Sequence, residues 1–489
     1  MPVDRLHRFT AARLHRVHGR LGSVPPAPGY PATMKRFDVF VVGGGGTGSE
    51  VAFRLGRTGD LSVALAERHL LGGECNHYGC VPTKVMLRSA KIAALARDGD
   101  RFGVRIPGPV TVDFQAVQRR ARDIVEGSSG EGAKPFERLG VTVYLQEARV
   151  LGPHRIELAD GTQVEADRIV LATGTDSTTP PIDGLEDGPF WTNREAIWKP
   201  SAAPTSLAVI GAGAIGIEFA QIFARFGSRV TVLETEDRIV PNEDEAAAAA
   251  LAPALEQDGI GLKPGVTIER AEHRDPEGWT LTLQGDGSVQ AEELLVATGR
   301  RPVFDVHDLD ATGIELDDRG RPVLDETLRT TNPDVWAAGD STGELLFTHV
   351  GGYEAEIVVD DILGRPRPRD YRVVPKVTFS DPEVASVGLT ERGAREEGRD
   401  VRTSEVAISE NERAQIEGRE HGVVKLVADA SSGELLGGHI VSEQAEAMIH
   451  EIVAMMAART PARPVAEAIH AYPTLSESVK GALLGLLDD

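Results

Sequence analysis

Residues 37–56, FDVFVVGGGGTGSEVAFRLG, combine an apolar run, a glycine-rich turn and an apolar, helix-like stretch. The run 39–42 is bounded by glycines and is typical of a buried parallel strand. Gly43, Gly45 and Gly48 follow in G-x-G-x-x-G spacing. The first glycine permits the tight turn, the second lets a pyrophosphate approach the backbone, and the third lets the helix pack on the strand. The stretch therefore predicts a dinucleotide-binding turn with the pyrophosphate at the helix N-terminus.

The same pattern recurs at residues 206–234, SLAVIGAGAIGIEFAQIFARFGSRVTVLE. Its three glycines are Gly211, Gly213 and Gly216. In each copy the next strand ends in an acid, Glu67 or Glu234, which can accept hydrogen bonds from a ribose diol. One such motif is weak evidence, because glycine-rich turns are common. Two copies, each with a strand before, a helix after and an acid at the second strand's tip, predict two bound dinucleotides.

Glu234 also bears on the choice between NAD and NADP. A carboxylate at this position binds the adenosine ribose of NAD and repels the 2′-phosphate of NADP. The residues that follow it add negative charge, whereas Arg229 and Arg238 lie nearby in the sequence and could oppose this preference. We therefore expect NAD, with NADP less favoured.

Length and charge exclude several classes of partner. A chain of 489 residues suggests about three domains. The formal net charge of −23 repels phosphate backbones, so nucleic acid is not expected as a partner. No run of about 18 or more apolar residues occurs, so we expect no membrane span.

The chain has only two cysteines, Cys75 and Cys80, within GGECNHYGCVPTK at residues 72–84. So few cysteines fit a reducing, cytoplasmic location, where a close pair is more often catalytic or metal-binding than structural. A regular helix would hold the two Cα atoms about 8 to 9 Å apart, beyond the reach of a disulfide. Pro82 predicts a helix starting near Cys80, which places Cys75 on a turn and Cys80 at a helix N-terminus, where the dipole stabilises a thiolate.

Two other interpretations of the cysteine pair are weaker. A zinc site needs about four ligands, and His77 is the only other close candidate, so no metal is predicted. An inert structural pair is the second alternative. Lys84, four residues after Cys80, would lie on the same helix face as that cysteine.

GGECNHYGCVPTK resembles the redox-active segment of the class I pyridine nucleotide–disulfide oxidoreductases, among them dihydrolipoamide dehydrogenase, glutathione reductase and mercuric reductase. The resemblance runs from about Phe37 to about Ser478. It includes four further motifs: LATGT at 171–175, VATGR at 296–300, TNPDVWAAGD at 331–340 and KVTFSDPEVASVGLTE at 376–391.

The resemblance implies an α/β fold with two Rossmann-like dinucleotide-binding domains and a C-terminal α+β dimerisation domain. An FAD-binding domain, residues 36–175 and 301–370, would be split around an NAD-binding domain, residues 176–300. Residues 371–489 would form the dimerisation domain of a homodimer. Residues 1–33 are expected to be a disordered leader; a transit peptide and a start codon assigned too early are the alternatives.

The resemblance also implies the site residues. FAD would be held by Gly43, Gly45, Gly48, Glu67, Gly73, Lys84, Gly174, Asp340, Thr348 and His349. NAD would be held by Gly211, Gly213, Gly216, Glu218, Glu234 and Gly299. Lys84 would pair with Glu218 beside the flavin, Cys80 would face the flavin, and Cys75 would exchange with the substrate.

The C-terminal phrase IHAYPTLSES departs from the family pattern. The disulfide reductases carry a catalytic histidine directly before the proline, and here that residue is Tyr472. Tyrosine is a poor base near neutral pH, whereas histidine is suited to moving a proton. His470 is the candidate replacement, with packing at a helix end as its alternative role. Glu477 matches the family acid, but the run from Thr474 to Glu477 is also a capping box.

Two functions follow from these observations. The first is an NADH-linked, dihydrolipoyl-dehydrogenase-like oxidoreductase that acts on a small disulfide through Cys75 and Cys80. The second is an NADH oxidoreductase that passes electrons to a quinone, dye or metal ion, or between nicotinamide pools, and needs no dithiol base. The absence of a C-terminal cysteine pair disfavours mercury reduction, and Glu234 disfavours glutathione reduction.

Overall fold

The structure is a computed structural model that describes residues 34–285, 287–304 and 309–487. The expected leader, residues 1–33, lies outside the described residues. The strands run in chain order as β1 Lys35–Val42, β2 Val63–Ala66, β3 Thr142–Tyr144, β4 Ala148–Gly152, β5 Arg155–Leu158, β6 Gln163–Leu171, β7 Thr175–Ser177, β8 Ser206–Ile210, β9 Arg229–Leu233, β10 Gly261–Lys263, β11 Ile268–Arg274, β12 Gly278–Leu283, β13 Ser288–Ala291, β14 Glu293–Val296, β15 Arg300–Pro302, β16 Val335–Ala337, β17 Pro375–Thr378, β18 Glu383–Gly388, β19 Val401–Ala407, β20 Val423–Asp429 and β21 Leu435–Ser442.

The helices alternate with these strands through most of the chain. They are α1 Gly46–Gly56, α2 Gly73–His77, α3 Cys80–Arg97, α4 Phe114–Ser129, α5 Lys134–Glu137, α6 Asn193–Trp198, α7 Ala214–Arg225, α8 Glu245–Gln257, α9 Leu309–Thr312, α10 Thr348–Ile362, α11 Glu391–Glu396, α12 Glu412–Glu417, α13 Ala445–Ala458, α14 Ala462–Ala466 and α15 Ser476–Gly485.

The first unit is built on a seven-stranded sheet in the order β3-β2-β1-β6-β5-β4, with β16 also paired to β6. Strand β1 lies in its middle, parallel to β2 and β6. Val39 and Val41 pack with α1 and α10 on one face, and Phe40 and Val42 pack in the core on the other face. Burial on both faces explains why this strand is continuously apolar.

The second unit contains the parallel sheet β10-β9-β8-β14 and the antiparallel sheet β11-β12-β13. The chain enters it after β7 and leaves it at β15, and these two short strands pair antiparallel with each other. Because β16 then adds to the first sheet, the first unit is assembled from two separate parts of the chain.

The third unit is an antiparallel sheet in the order β17-β18-β21-β20-β19. Helix α13 packs against this sheet. Its side chains Met448, Ile449, Ile452, Met455 and Met456 are buried against the sheet. The predicted α/β class with a C-terminal α+β unit is therefore confirmed.

Helix α7 connects the second unit to the third through buried polar groups. Arg225 donates to Asp258 at 2.9 Å and to Asp381 at 2.8 Å. The Gln221 side chain donates to the Asp381 carbonyl at 2.8 Å, and its own carbonyl accepts the Asp381 N–H at 2.7 Å. Arg225 and Gln221 are both buried. Within the described ranges, no helix is long and apolar enough to cross a membrane.

Candidate functional site

The two glycine turns have the same geometry. Gly43 has φ +100°, and a Cβ on it would lie 2.2 Å from the Ala172 carbonyl oxygen. A Cβ on Gly48 would lie 1.9 Å from the Gly43 oxygen, so any side chain there would push helix α1 off strand β1. The glycines that the sequence motif assigns to the turn and to helix packing are therefore sterically required.

The second turn repeats these contacts. Gly211 has φ +102°, and its Cβ would lie 2.4 Å from the Ala297 oxygen. A Cβ on Gly216 would lie 1.9 Å from the Gly211 oxygen. Both turns stand at the carboxyl end of a central strand and open a helix, α1 or α7, which is where dinucleotide pyrophosphates bind.

The middle glycines differ from the others because they face open space. Among the described residues, no atom outside the glycine and its two chain neighbours lies within 4 Å of a Cβ built on Gly45 or on Gly213. The two acids close the same turns: Glu67 accepts from the Gly44 N–H at 2.8 Å, and Glu234 accepts from the Ala212 N–H at 2.7 Å. An open backbone beside a carboxylate fits a pyrophosphate and its ribose.

Most residues expected to hold FAD converge on one cleft. Its lining includes Gly43, Gly45, Glu67, Gly73, Gly174, Asp340 and Thr348. Gly48 lies behind the turn, and the His349 ring donates to the Pro375 carbonyl at 2.8 Å outside this lining. The Thr175 hydroxyl donates to Asp340 at 3.2 Å, and burial raises the pKa of Asp340.

The cysteine segment is broken into two helices. Cys75 lies in the single-turn helix α2, whereas the sequence predicted a turn. Tyr78 and Gly79 interrupt the helix, and α3 begins at Cys80, as Pro82 predicted. Because the backbone is not one regular helix between the cysteines, their side chains can meet.

The two thiols polarise each other. The hydrogen bond with Cys75 lowers the pKa of Cys80 to about 6; burial opposes this shift, and Thr348 and Lys84 add to it. The same pairing, together with burial, raises the pKa of Cys75. Cys80 is exposed and lies 3.6 Å from the Thr348 hydroxyl, while Cys75 is half-buried and lines the cleft. The pair therefore holds a thiolate at Cys80 at neutral pH.

Lys84, one helical turn after Cys80, pairs with Glu218 of α7. Its Nζ lies 2.7 Å and 3.0 Å from the two carboxylate oxygens, and Glu218 is buried. Glu218 also accepts the Phe379 N–H at 2.9 Å, and Lys84 Nζ lies 4.6 Å from the Phe379 ring centre. Side chains from all three units therefore meet beside the thiols.

Glu74, Arg194 and Arg300 are among the charged residues of the cleft that were not singled out from the sequence. Arg194 and Arg300 lie 2.6 Å and 3.6 Å from Glu74. Although burial acts to raise it, hydrogen bonds from Arg194 and Asn193 lower the pKa of Glu74. The available signals were Arg300, which closes the motif VATGR, and Glu74, which directly precedes Cys75.

The C-terminal candidates lie in a different environment. The Tyr472 side chain is 70% exposed. The His470 ring faces two acceptors, Glu451 Oε1 at 3.1 Å and the Ala468 carbonyl at 3.2 Å. Both ring nitrogens therefore already lie within hydrogen-bond distance of acceptors in this chain.

Glu477 makes half of the capping box expected from the sequence. Its carboxylate accepts the Thr474 N–H at 3.0 Å. The Thr474 hydroxyl instead donates to the Ala471 carbonyl at 2.8 Å, and α15 begins at Ser476 after Leu475. The reciprocal bond from the threonine is therefore missing.

Two family models match almost all of this architecture. The pyridine nucleotide-disulphide oxidoreductase model matches residues 37–355, and the dimerisation domain of the same family matches residues 374–483. The chain belongs to the pyridine nucleotide-disulphide oxidoreductases. Members of this family use FAD and a pyridine nucleotide, and the dimerisation domain supports a homodimer.

Relatives within the family carry different names. The chain is 36% identical to a dihydrolipoyl dehydrogenase of Chlorobaculum tepidum, covering 92% of this chain and 97% of the relative. It is 33% identical to a mercuric reductase of Bacillus cereus, covering 92% and 71%. The HOCl-induced flavoprotein disulfide reductase RclA of Escherichia coli superposes with a TM-score of 0.82 at 28% identity, covering 91% and 99%. The chain is thus a flavoprotein disulfide reductase whose substrate these relatives do not decide.

Proposed function

We propose that this oxidoreductase is a dihydrolipoyl-dehydrogenase-like enzyme that passes electrons between NADH, FAD and the Cys75–Cys80 pair. The observation that carries the proposal is the thiol pair itself. Cys80 is a thiolate at the N-terminus of α3, in hydrogen-bond contact with Cys75 and Thr348. An inert pair needs neither the lowered pKa nor the adjacent Lys84–Glu218 ion pair.

Each residue then has a role in the reduction of a small disulfide. Bound FAD supplies the two-electron link between NADH and the thiols. Cys75 attacks one substrate sulfur while its proton passes to the Cys80 thiolate, and the second substrate sulfur leaves as a thiolate that takes up this proton. The Cys80 thiolate next attacks the Cys75 sulfur, which releases the first substrate sulfur and forms the Cys75–Cys80 disulfide. Two protons complete the two product thiols, and NADH restores the dithiol.

The structure supports NADH over NADPH at the second glycine turn. Arg229 starts strand β9, so its Cα lies about 13 Å from the carboxyl end that carries Glu234. The Arg238 guanidinium donates to the Pro241 carbonyl at 3.0 Å and lies 3.3 Å from Asp237. Arg229 is therefore remote from Glu234, and the Arg238 guanidinium already contacts Asp237 and the Pro241 carbonyl.

A second candidate function rests on the C-terminal segment. Tyr472 stands where the family's disulfide reductases carry a histidine, and both nitrogens of His470 are occupied. An acceptor reduced at the flavin, such as a quinone or a metal ion, needs no base for a dithiol. This candidate predicts electron transfer without any role for Cys75.

The test compares acceptors in FAD-saturated protein at about pH 7. NADH oxidation is measured with lipoamide and with a quinone, for the wild type and for Cys75→Ser. Saturable lipoamide reduction that is lost in Cys75→Ser would support the first function. A negligible lipoamide rate, with quinone reduction that survives in Cys75→Ser, would refute it and support the second. Cys75→Ser keeps the size and polarity of the side chain, so FAD content serves as the folding control.

A further inference from the structure

One segment holds the second glycine turn from both sides. The Ala212 N–H donates to Glu234 at 2.7 Å, and the Ala212 carbonyl accepts the Val240 N–H at 2.9 Å. Ala212 and Val240 are buried. The path of segment 234–244 therefore determines the shape of the turn that would meet NAD.

Val240 adopts a backbone conformation that its side chain disfavours. Its φ is +39°, a region that β-branched residues rarely adopt, because the side chain crowds the backbone. Such strain persists only where the surroundings impose it. Segment 234–244 must therefore be held by contacts outside itself.

Those contacts come from the third unit, which matches the family's dimerisation domain and is called the dimerisation unit below. Lys376 of β17 lies 3.1 Å from Glu243 and donates to the Asn242 carbonyl at 3.4 Å. The Ser386 hydroxyl of β18 donates to Glu243 at 2.6 Å. Side chains of β17 and β18 therefore both contact the C-terminal end of segment 234–244.

Lys425 of β20 is the more deeply buried of the two lysine anchors. Its Nζ lies 3.0 Å from Asp244 and 2.9 Å from Glu391, and its side chain is only 9% exposed. Across the sheet, Lys425 pairs with His439, and His439 pairs with Ser386. This row of polar residues on three adjacent strands faces the same two acids, Glu243 and Asp244.

We propose that Lys425 is a positioning residue for NAD. The ion pair with Asp244 fixes the position of segment 234–244. The hydrogen bonds of Val240 and Glu234 to Ala212 then fix the conformation of the glycine turn. The dimerisation unit thereby sets the NAD affinity of a glycine turn that belongs to the second unit. This inference rests on the proposed assignment of NAD to the second glycine turn.

The test uses ADP-ribose and FAD-loaded protein. ADP-ribose carries the adenosine and pyrophosphate of NAD but no nicotinamide, so calorimetry reports binding without redox chemistry. In Lys425→Met the loss of a charge-assisted hydrogen bond is expected to raise the Kd about tenfold. Backbone amides of segment 234–244 should also exchange hydrogen faster in this variant.

A second variant covers the case in which Lys425→Met folds poorly. Asp244 also accepts the Ala246 N–H at the start of α8, at 3.0 Å, and Asp244→Asn keeps that acceptor while removing the charge that Lys425 meets. It should weaken ADP-ribose in the same direction. The double variant should bind little more weakly than either single variant, because both break one interaction.

Arg329→Met is the matched control. Arg329 forms a 2.6 Å ion pair with buried Asp361 in the first unit, away from segment 234–244. Its loss should lower the melting temperature and leave the Kd unchanged. A Kd for Lys425→Met and for Asp244→Asn within twofold of wild type would overturn the proposal and leave Lys425 a stability role.

Glu234→Ala separates this inference from the assignment on which it rests. If Glu234→Ala fails to weaken ADP-ribose, the NAD assignment is wrong and the inference falls with it. If Glu234→Ala weakens binding and the Lys425 and Asp244 variants do not, only the positioning role is refuted.

Discussion

The thiolate at Cys80 depends on the hydroxyl of Thr348. The chain has two cysteines, so Cys75→Ser leaves a single thiol that can be titrated without ambiguity. Serine at position 75 keeps a hydroxyl donor toward Cys80. In this background Thr348→Val removes the contact made at 3.6 Å, and Thr348→Ser is the matched control that keeps it.

The expected rise in the pKa of Cys80 follows from the loss of one hydrogen bond. A net contribution of about 1 kcal/mol corresponds to a pKa higher by about 0.7. Starting from the pKa of about 6 that Cys80 has in the unaltered pair, where the Cys75 hydrogen bond is its largest cause, about nine tenths of the thiol is ionised at pH 7. After Thr348→Val the ionised fraction at this pH should fall to about two thirds.

The assay is the ultraviolet absorbance of the thiolate, followed against pH on FAD-loaded protein. The absorbance should rise with pH through the pKa, and the midpoint for Thr348→Val should lie above the midpoint for Thr348→Ser. Coincident titrations of the two variants would refute the reasoning, because the hydroxyl would then contribute nothing to the thiolate.

Three further predictions concern stability and catalysis. Arg225→Met removes one of the two cations paired with buried Asp381, Lys91 being the other, and should lower the free energy of unfolding by about 1.5–3 kcal/mol, measured by denaturant unfolding; a loss below about 1 kcal/mol would contradict a buried, structural ion pair. Burial raises the pKa of Glu354 from 4.5 to about 7, so stability should fall by about 3 kcal/mol as pH rises through that interval, since only the unfolded state has already lost the proton. Glu354→Gln should flatten this dependence of the melting temperature on pH, and an unchanged slope would show that another group titrates. Tyr472→His should raise the lipoamide-linked rate at least about tenfold and leave quinone reduction unchanged; equal rates would mean that position 472 does not supply the base.

Local steric requirements made much of the site predictable. The spacing of Gly43, Gly45 and Gly48 reports contacts within one turn, and the same holds for the second copy. The start of a helix at Cys80 could be expected because Pro82 is a local signal for a first helical turn. The exception is Thr474, whose hydroxyl bonds to a carbonyl three residues earlier instead of capping α15.

Residues that act across the units could not be assigned in this way. Glu74 and Arg194 are 120 positions apart in the chain and meet only after folding. His470 was a reasonable base from its position beside the family motif. Its ring nitrogens instead face Glu451 on α13 and the Ala468 carbonyl, and the contact with Glu451 depends on how the segment after α14 packs against α13.

By itself the sequence determined the two dinucleotide turns, the thiol pair and the family, because each rests on short-range spacing and on residue types with few alternatives. Tertiary structure alone decided how the units act on one another. The Lys84–Glu218 and Lys425–Asp244 ion pairs both join residues more than a hundred positions apart. Burial turns these contacts into strong, directional interactions, and burial is a property of the packed chain rather than of any segment of it.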